Sequence, residues 1–65
     1  MKIIVNGAPV QTEAATLAAL LAEQGKAQAK VATAVNETFV PATARETHAL
    51  SDGDRVEIVA PRQGG

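Results

Sequence analysis

Few side chains in this sequence are equipped for chemistry. There is no cysteine, which excludes a thiol nucleophile, a thiolate metal site and a disulfide framework. Asp52-Gly53-Asp54 sets two carboxylates close together, but the spacing of a calcium-binding loop is absent, and Asp and Gly favour a turn ahead of the strand-like run that follows. The single histidine, His48, has Glu46 two positions away, too near in sequence to share a helix face with it, and reads as a surface residue. Lys26 and Lys30, four apart, read as a solvated edge. No metal site is expected. What remains is the final stretch, "EIVAPRQGG". Gly64 and Gly65 have no side chains with which to pack or to cap. Either that segment is idle, or the carboxylate of Gly65 is its working part.

The chain that must present this carboxylate is short. A domain of 65 residues buries only about 60% of the surface its unfolded chain exposes, which leaves little room for a deep cleft lined by catalytic groups. Apolar residues make up 46% of the sequence, but many are alanines, so the core must rest on a few larger side chains. Phe39 is the only aromatic and the formal net charge is −1. There is neither a stacking platform for bases nor a positive field for phosphates, and nucleic acid is not an expected partner. No basic-then-apolar leader opens the sequence and no run approaches the roughly 20 apolar residues of a membrane span. A cytoplasmic protein without membrane association is the expectation.

Turn chemistry and periodicity place the elements. Lys2 to Val5 is apolar and β-branched, and Asn6-Gly7 is a strong signal for a tight hairpin turn, because both positions of a type I′ turn need positive φ. Val10 to Thr12 returns beside it, and Pro9, which has no N–H, marks that second strand as an edge. In "TLAALLAEQG" Leu17, Leu20 and Leu21 form one apolar helical stripe. Thr16 is placed to cap its start and Gly25 to close its end. Val31, Thr33 and Val35 alternate with Ala32 and Ala34 as in a strand, Asn36-Glu37 reads as a turn, and Phe39-Val40 forms a short strand stopped by Pro41. "ATARETHALS" has no clean period and reads as a connection with one turn of helix. The last strand carries Val56 and Ile58 on one face and Arg55, Glu57 and Val59 on the other.

The resulting order is strand, strand, helix, strand, short strand, strand. The first and last strands can pair in parallel at the sheet centre, under the leucines of the helix, with a right-handed crossover. This is an α+β class of fold, the two-layer β-grasp: a mixed sheet of four to five strands with one helix packed on one face. Residues 1–60 form the domain. Pro61 stops the ladder, and residues 61–65 are expected to form a flexible Gly-Gly tail. Five or six extended residues reach about 17–20 Å, and glycines lacking Cβ can thread a passage closed to other residues. Phe39 and Val59 both fall on the sheet face away from the helix or else complete the core. On the first reading they form an apolar patch that docks partners. Arg62 either contacts an acidic partner surface or only adds solubility.

The sequence resembles the sulfur carrier family of thiamin biosynthesis, the ubiquitin-like ThiS family. The stretches that carry the resemblance are "VNG" at 5–7, "TLAALL" at 16–21, "VATAVNETFVP" at 31–41 and "LSDGDRVEIVAPRQGG" at 50–65, in the expected order over almost the whole chain. The last is the most specific. Family members often have a basic residue and an aromatic shortly after "VP"; here Ala42, Thr43 and Ala44 follow Pro41, and Arg45 is the basic residue available to substitute.

The resemblance implies a carrier and not an enzyme. An ionised carboxylate is a poor electrophile. A partner adenylyltransferase, similar to ubiquitin-activating enzymes, would use ATP to adenylate Gly65. A persulfide-derived sulfur would displace the adenylate and leave a thiocarboxylate, and thiazole synthase would accept the sulfur. Gly64 and Gly65 would thread the partner's channel; Phe39, Val59, Arg62 and Gln63 are the candidate partner-binding residues. No cofactor would be bound by the chain itself, ATP being used by the activating enzyme. Two other readings share the fold and the terminal glycines: the sulfur-carrying small subunit of molybdopterin synthase, and a ubiquitin-like protein modifier. A binding module with an idle tail is the fourth.

Overall fold

The computed structural model describes residues 1–60; the expected tail, 61–65, lies outside the described residues. Two hairpins and a helix are joined by a strand that comes last in the chain. β1 (Lys2–Val5) and β2 (Ala8–Gln11) form the first hairpin, α1 is Leu17–Glu23, β3 (Ala32–Val35) and β4 (Thr38–Val40) form the second, and β5 is Arg55–Val59. The sheet order is β2-β1-β5-β3-β4. β5 runs parallel to β1 and antiparallel to β3, so the sheet is mixed and its central strand is the one leading to the terminal glycines. This is the β-grasp arrangement expected from the sequence.

Both hairpins close as their turn residues require. Asn6 and Gly7 have φ of 50° and 84°, and Asn36 and Glu37 have φ of 50° and 71°, positive at both central positions as in a type I′ turn. β2 starts earlier than Val10 and includes Pro9, opposite Ile4. The reason lies in the ladder. The Ile4 N–H turns away from β2 and donates to the Asp54 carbonyl at 2.9 Å, so Ile4 and Pro9 are a non-hydrogen-bonded pair and the missing N–H of proline falls on the outer edge.

Helix α1 is only seven residues long, and its ends are closed at every level. The Thr16 hydroxyl accepts from the Ala19 N–H at 3.2 Å. The N–H groups of Leu17 and Ala18, which have no partner inside the helix, donate to the carbonyls of His48 and Arg45 at 3.0 and 3.1 Å. At the other end Gly25 takes φ 73°. Its N–H donates to the Ala22 carbonyl and that of Lys26 to the Leu21 carbonyl, the bond pair of a Schellman motif. The irregular connection after β4 holds a short 3-10 turn, Ala42–Ala44, and its later part serves as the cap of α1.

Leu17, Leu20 and Leu21 of the helix are buried against Ile3 and Val5 of β1, Val35 and Val40 of the second hairpin, and Val56 and Ile58 of β5. Leu50 and Ala14, both in connections, complete this core. Two buried threonines are satisfied. Thr33 Oγ1 donates to the Val40 carbonyl at 2.8 Å, and Thr12 Oγ1 donates to the Glu23 carboxylate while accepting from the Ala14 N–H. Leu20 has no exposed surface, and we expect Leu20→Ala to lower unfolding free energy by about 2–5 kcal/mol. Urea denaturation followed by circular dichroism measures this; an unchanged midpoint would contradict the helix-on-sheet core.

Candidate functional site

The candidate site has a root and a face. The root is the end of β5. On one side β5 is paired along its length with β3, from Val35 opposite Val56 to Ala32 opposite Val59. On the other side its partner β1 stops early: Ile4 and Val5 lie opposite Arg55 and Val56, and the chain then turns at Asn6. The main-chain N–H of Asn6 still donates to the Val56 carbonyl at 2.9 Å. Beyond that point the Asn6 side chain takes over. Its Nδ2 donates to the Ile58 carbonyl at 3.1 Å and its Oδ1 accepts from the Ile58 N–H at 2.8 Å.

Asn36 makes the corresponding contact at the start of the strand. Its main-chain N–H donates to the Arg55 carbonyl at 2.7 Å, and its Oδ1 accepts from the Arg55 N–H at 3.0 Å. Its Nδ2 donates to Asp54 Oδ1 at 2.9 Å. Sequence reasoning read both asparagines as turn residues and missed this second use. The available signal was the same residue type at the first position of both turns beside a strand that must pair with both hairpins.

The face is the side of the sheet away from α1. Phe39 is 66% exposed and Val59 60%, so neither completes the core. Phe39 lies opposite Ala34 and Val59 opposite Ala32. The two large apolar side chains therefore flank the two small ones of β3 on the same face, and the alanines leave them standing above the sheet. Glu57 is also opposite Ala34. Arg55 and Glu37 form an ion pair at 3.7 Å, with side chains 60% and 80% exposed, a geometry in which such a pair contributes little. The surface nearby holds a shallow open depression of about 270 Å³ between Ile4, Gly7, Arg55 and Glu57. Its lining brings together no convergent set of acid, base and nucleophile.

The other candidates have structural occupations. Asp52 Oδ1 accepts from the Lys2 N–H and Asp54 Oδ2 from the Ser51 N–H, both at 2.8 Å, so these carboxylates close the turn before β5. Among the described residues no three His, Asp or Glu side chains gather as a metal site would need. Arg45 is not the free basic contact that the sequence offered. Its Nε donates to Thr33 Oγ1 at 3.0 Å and its Nη2 to the Val31 carbonyl at 2.6 Å, pinning the 3-10 connection to the start of β3. Arg62, Gln63, Gly64 and Gly65 lie outside the described residues.

A mixed five-stranded β-grasp sheet with an α-helix packed on one face places the molecule in the ubiquitin-like class of small proteins. Residues 3–65 match the sequence model of the ThiS family. The crystal structure of the thiamine biosynthesis protein ThiS from Geobacter metallireducens superposes with a TM-score of 0.83 at 30% identity, covering all of both chains. The solution structure of a thiamine biosynthesis protein from the same organism gives 0.79 at 30% identity, covering all of this chain and 88% of the other. A thiazole synthase of Paramagnetospirillum magneticum is 41% identical over 66 residues. This chain spans 20% of the length of that relative. The chain belongs to the ThiS family, the sulfur carriers of thiamin biosynthesis.

Phe39 stands exposed on the sheet, whereas Arg45 is tied by its guanidinium to Thr33 and the Val31 carbonyl. Phe39→Ser should leave stability within about 0.5 kcal/mol, whereas Arg45→Met should lower it by about 1.5–3 kcal/mol through the lost charge-assisted bonds. Equilibrium urea unfolding of both variants checks this, and the reverse ranking would contradict the assignment of Arg45 to the interior framework.

Proposed function

We propose that the chain carries sulfur as a thiocarboxylate on Gly65 for thiazole synthesis, and that catalysis at each step belongs to its partners. The observation that carries this reading is the family match running through Gly65, in a molecule whose described residues assemble no catalytic constellation of their own. The Gly65 carboxylate attacks the α-phosphorus of ATP on an adenylyltransferase and pyrophosphate leaves. The acyl adenylate now has a good leaving group. The terminal sulfur of a persulfide attacks its carbonyl, AMP departs, and reduction of the resulting acyl disulfide by a thiol leaves the thiocarboxylate.

Thiazole synthase is the acceptor in this scheme. Support comes from the thiazole synthase that shares 41% identity with this chain. Phe39 and Val59 provide the apolar docking pair, with Arg62 and Gln63 reading the approach to the channel and Gly64 and Gly65 passing through it. Glycine suits that passage because no Cβ widens the chain.

Deleting Gly65, or substituting Gly64→Val, should abolish adenylation while the far-ultraviolet spectrum and melting temperature stay unchanged. ATP–pyrophosphate exchange with the thiamin-pathway adenylyltransferase reads the first step. Intact mass after adding a persulfide donor reads the second, as the replacement of one oxygen by sulfur. Normal exchange by the truncated chain would refute the proposal, and a ladder of protein adducts would point to a modifier instead.

A further inference from the structure

We infer that Asn6 is a positioning residue for the reactive end of the chain: its side-chain amide substitutes for a strand and fixes the last doubly held residue of β5, Ile58, from which the terminal segment departs. The inference rests on the reading that Gly65 is the activated group.

The argument starts from the parallel ladder. In such a ladder one residue donates and accepts on alternating rungs of its neighbour. Ile4 donates to Asp54 and Asn6 to Val56, at 2.9 Å each. The next rung would take the Ile58 N–H to the main-chain carbonyl of Asn6. Asn6 instead leaves the strand for the hairpin turn, at φ 50°, and the Ile58 N–H does not bond its main-chain carbonyl. The side chain replaces it: Oδ1 receives the Ile58 N–H and Nδ2 bonds the Ile58 carbonyl. A carboxamide has the donor and acceptor of a peptide group in the same plane, so one side chain completes both bonds. Asparagine also tolerates the left-handed backbone that the turn demands. No other residue type combines both properties. Aspartate has no donor, and glycine has no side chain.

The consequence is local. Ile58 is buried, and beyond it, among the described residues, only the Ala32–Val59 pair on the β3 side continues the ladder. Without the Asn6 amide, β5 is held on one side from Glu57 onward. The end of the strand is then free to open, and with it both the origin and the direction of everything that follows. A carrier whose last residues must enter a partner's channel loses binding when their origin wanders, because docking must then restore the order.

Asn36 supplies a matched control, since it gives the Arg55 end of the same strand an equivalent bond far from the exit. Asn6→Gly and Asn36→Gly both keep positive φ accessible and both remove an amide that props β5. Two readouts separate positioning from general stability. In amide hydrogen exchange, Asn6→Gly should lower protection of Ile58 about tenfold relative to the rest of the sheet, the order expected from two lost bonds. Asn36→Gly should leave Ile58 protected. In ATP–pyrophosphate exchange with the thiamin-pathway adenylyltransferase, Asn6→Gly should raise the KM for the carrier by about tenfold with kcat little changed, the signature of lost uniform binding. Asn36→Gly should shift neither. Should the glycine variant at position 6 fold poorly, Asn6→Asp, which keeps the acceptor but loses the donor, takes its place in the same comparison. Equal KM changes for the two positions, or unaltered Ile58 protection, would overturn the inference while leaving the activated Gly65 intact. An unmodified chain that supports no exchange at all would instead remove the Gly65 reading, and this inference with it.

Discussion

The pairing of β5 between β1 and β3 is the interaction on which the molecule depends. Each hairpin forms from residues close in sequence, and an isolated two-stranded hairpin is marginal in water. Neither has a second sheet layer, and α1, at seven residues, is too short to be stable alone. β5 joins them into one five-stranded sheet and adds Val56 and Ile58 to the buried face. Without β5 the two hairpins share no strand, because β1 and β3 each pair with it and not with one another. The strand leading to the terminal glycines is therefore the one the body can least release. Release of the whole strand would dissolve the sheet, so any local opening of β5 is confined to its last residues, where contacts with neighbouring side chains decide.

A short sheet leaves many polar groups exposed to loss of partners, and the solution here is to use each small polar side chain twice. Asn6 and Asn36 turn the chain and also bond the main chain of β5. Asp54 accepts from Ser51 to shape its own turn and from Asn36 to tie that turn to the second hairpin. Thr33 sits in the core because its hydroxyl bridges the Val40 carbonyl and the Arg45 guanidinium. No buried side-chain polar atom among the described residues is left without a partner. A core of this size cannot absorb the cost of an unsatisfied buried group. Glu37 is the exception to this tidiness. It holds φ 71° where the first hairpin has glycine, and nothing in the structure explains the choice, since its contact with Arg55 is solvent-exposed.

What the sequence made legible was whatever rests on neighbours. Asn6-Gly7 and Asn36-Glu37 announced turns, Thr16 and Gly25 bounded the helix, and Pro9 marked an edge, because each of these residues has a local backbone reason to be there. Alternation in β5 set Val59 opposite to Val56 and Ile58, but whether Phe39 and Val59 stood outward or completed the core stayed open until the cross-strand pairs with Ala34 and Ala32 were placed. Leu50 was not legible: it lies among polar residues without a period, and enters the core only because the 45–50 connection folds over the start of α1, where the Leu50 N–H donates to the Ala15 carbonyl. The structural bonds of Arg45 were not legible for a related reason. A lone arginine in an irregular stretch looks solvated, and the groups that claim it, Thr33 and the Val31 carbonyl, come from another element. The role of Asn6 had the same origin, a bond across more than fifty positions of sequence. Long-range polar contacts carry no periodic signature, whereas apolar faces do.

Holding the root of the terminal segment also explains why so small a body suffices for the proposed function. A carrier needs no cleft if the reacting carbonyl is brought into someone else's. What it must control is where that carbonyl arrives. Drawn out into a partner, the residues following Val59 span at most about 20 Å. A tilt of about 10° at their origin displaces the far end of such a lever by about 3 Å, roughly the separation that distinguishes reacting atoms in place from atoms merely nearby. Terminal glycines offer no side chains with which to correct the error. Accuracy has to come from the two ends of the lever: the partner's channel at one, and the last rungs of β5 at the other. Core packing fixes Ile58 from below, the Ala32–Val59 pair fixes the strand from one side, and the Asn6 amide fixes it from the other. Among these three only the amide can be removed without creating a cavity or breaking the sheet, which makes it the place where precision of delivery and stability of the fold come apart.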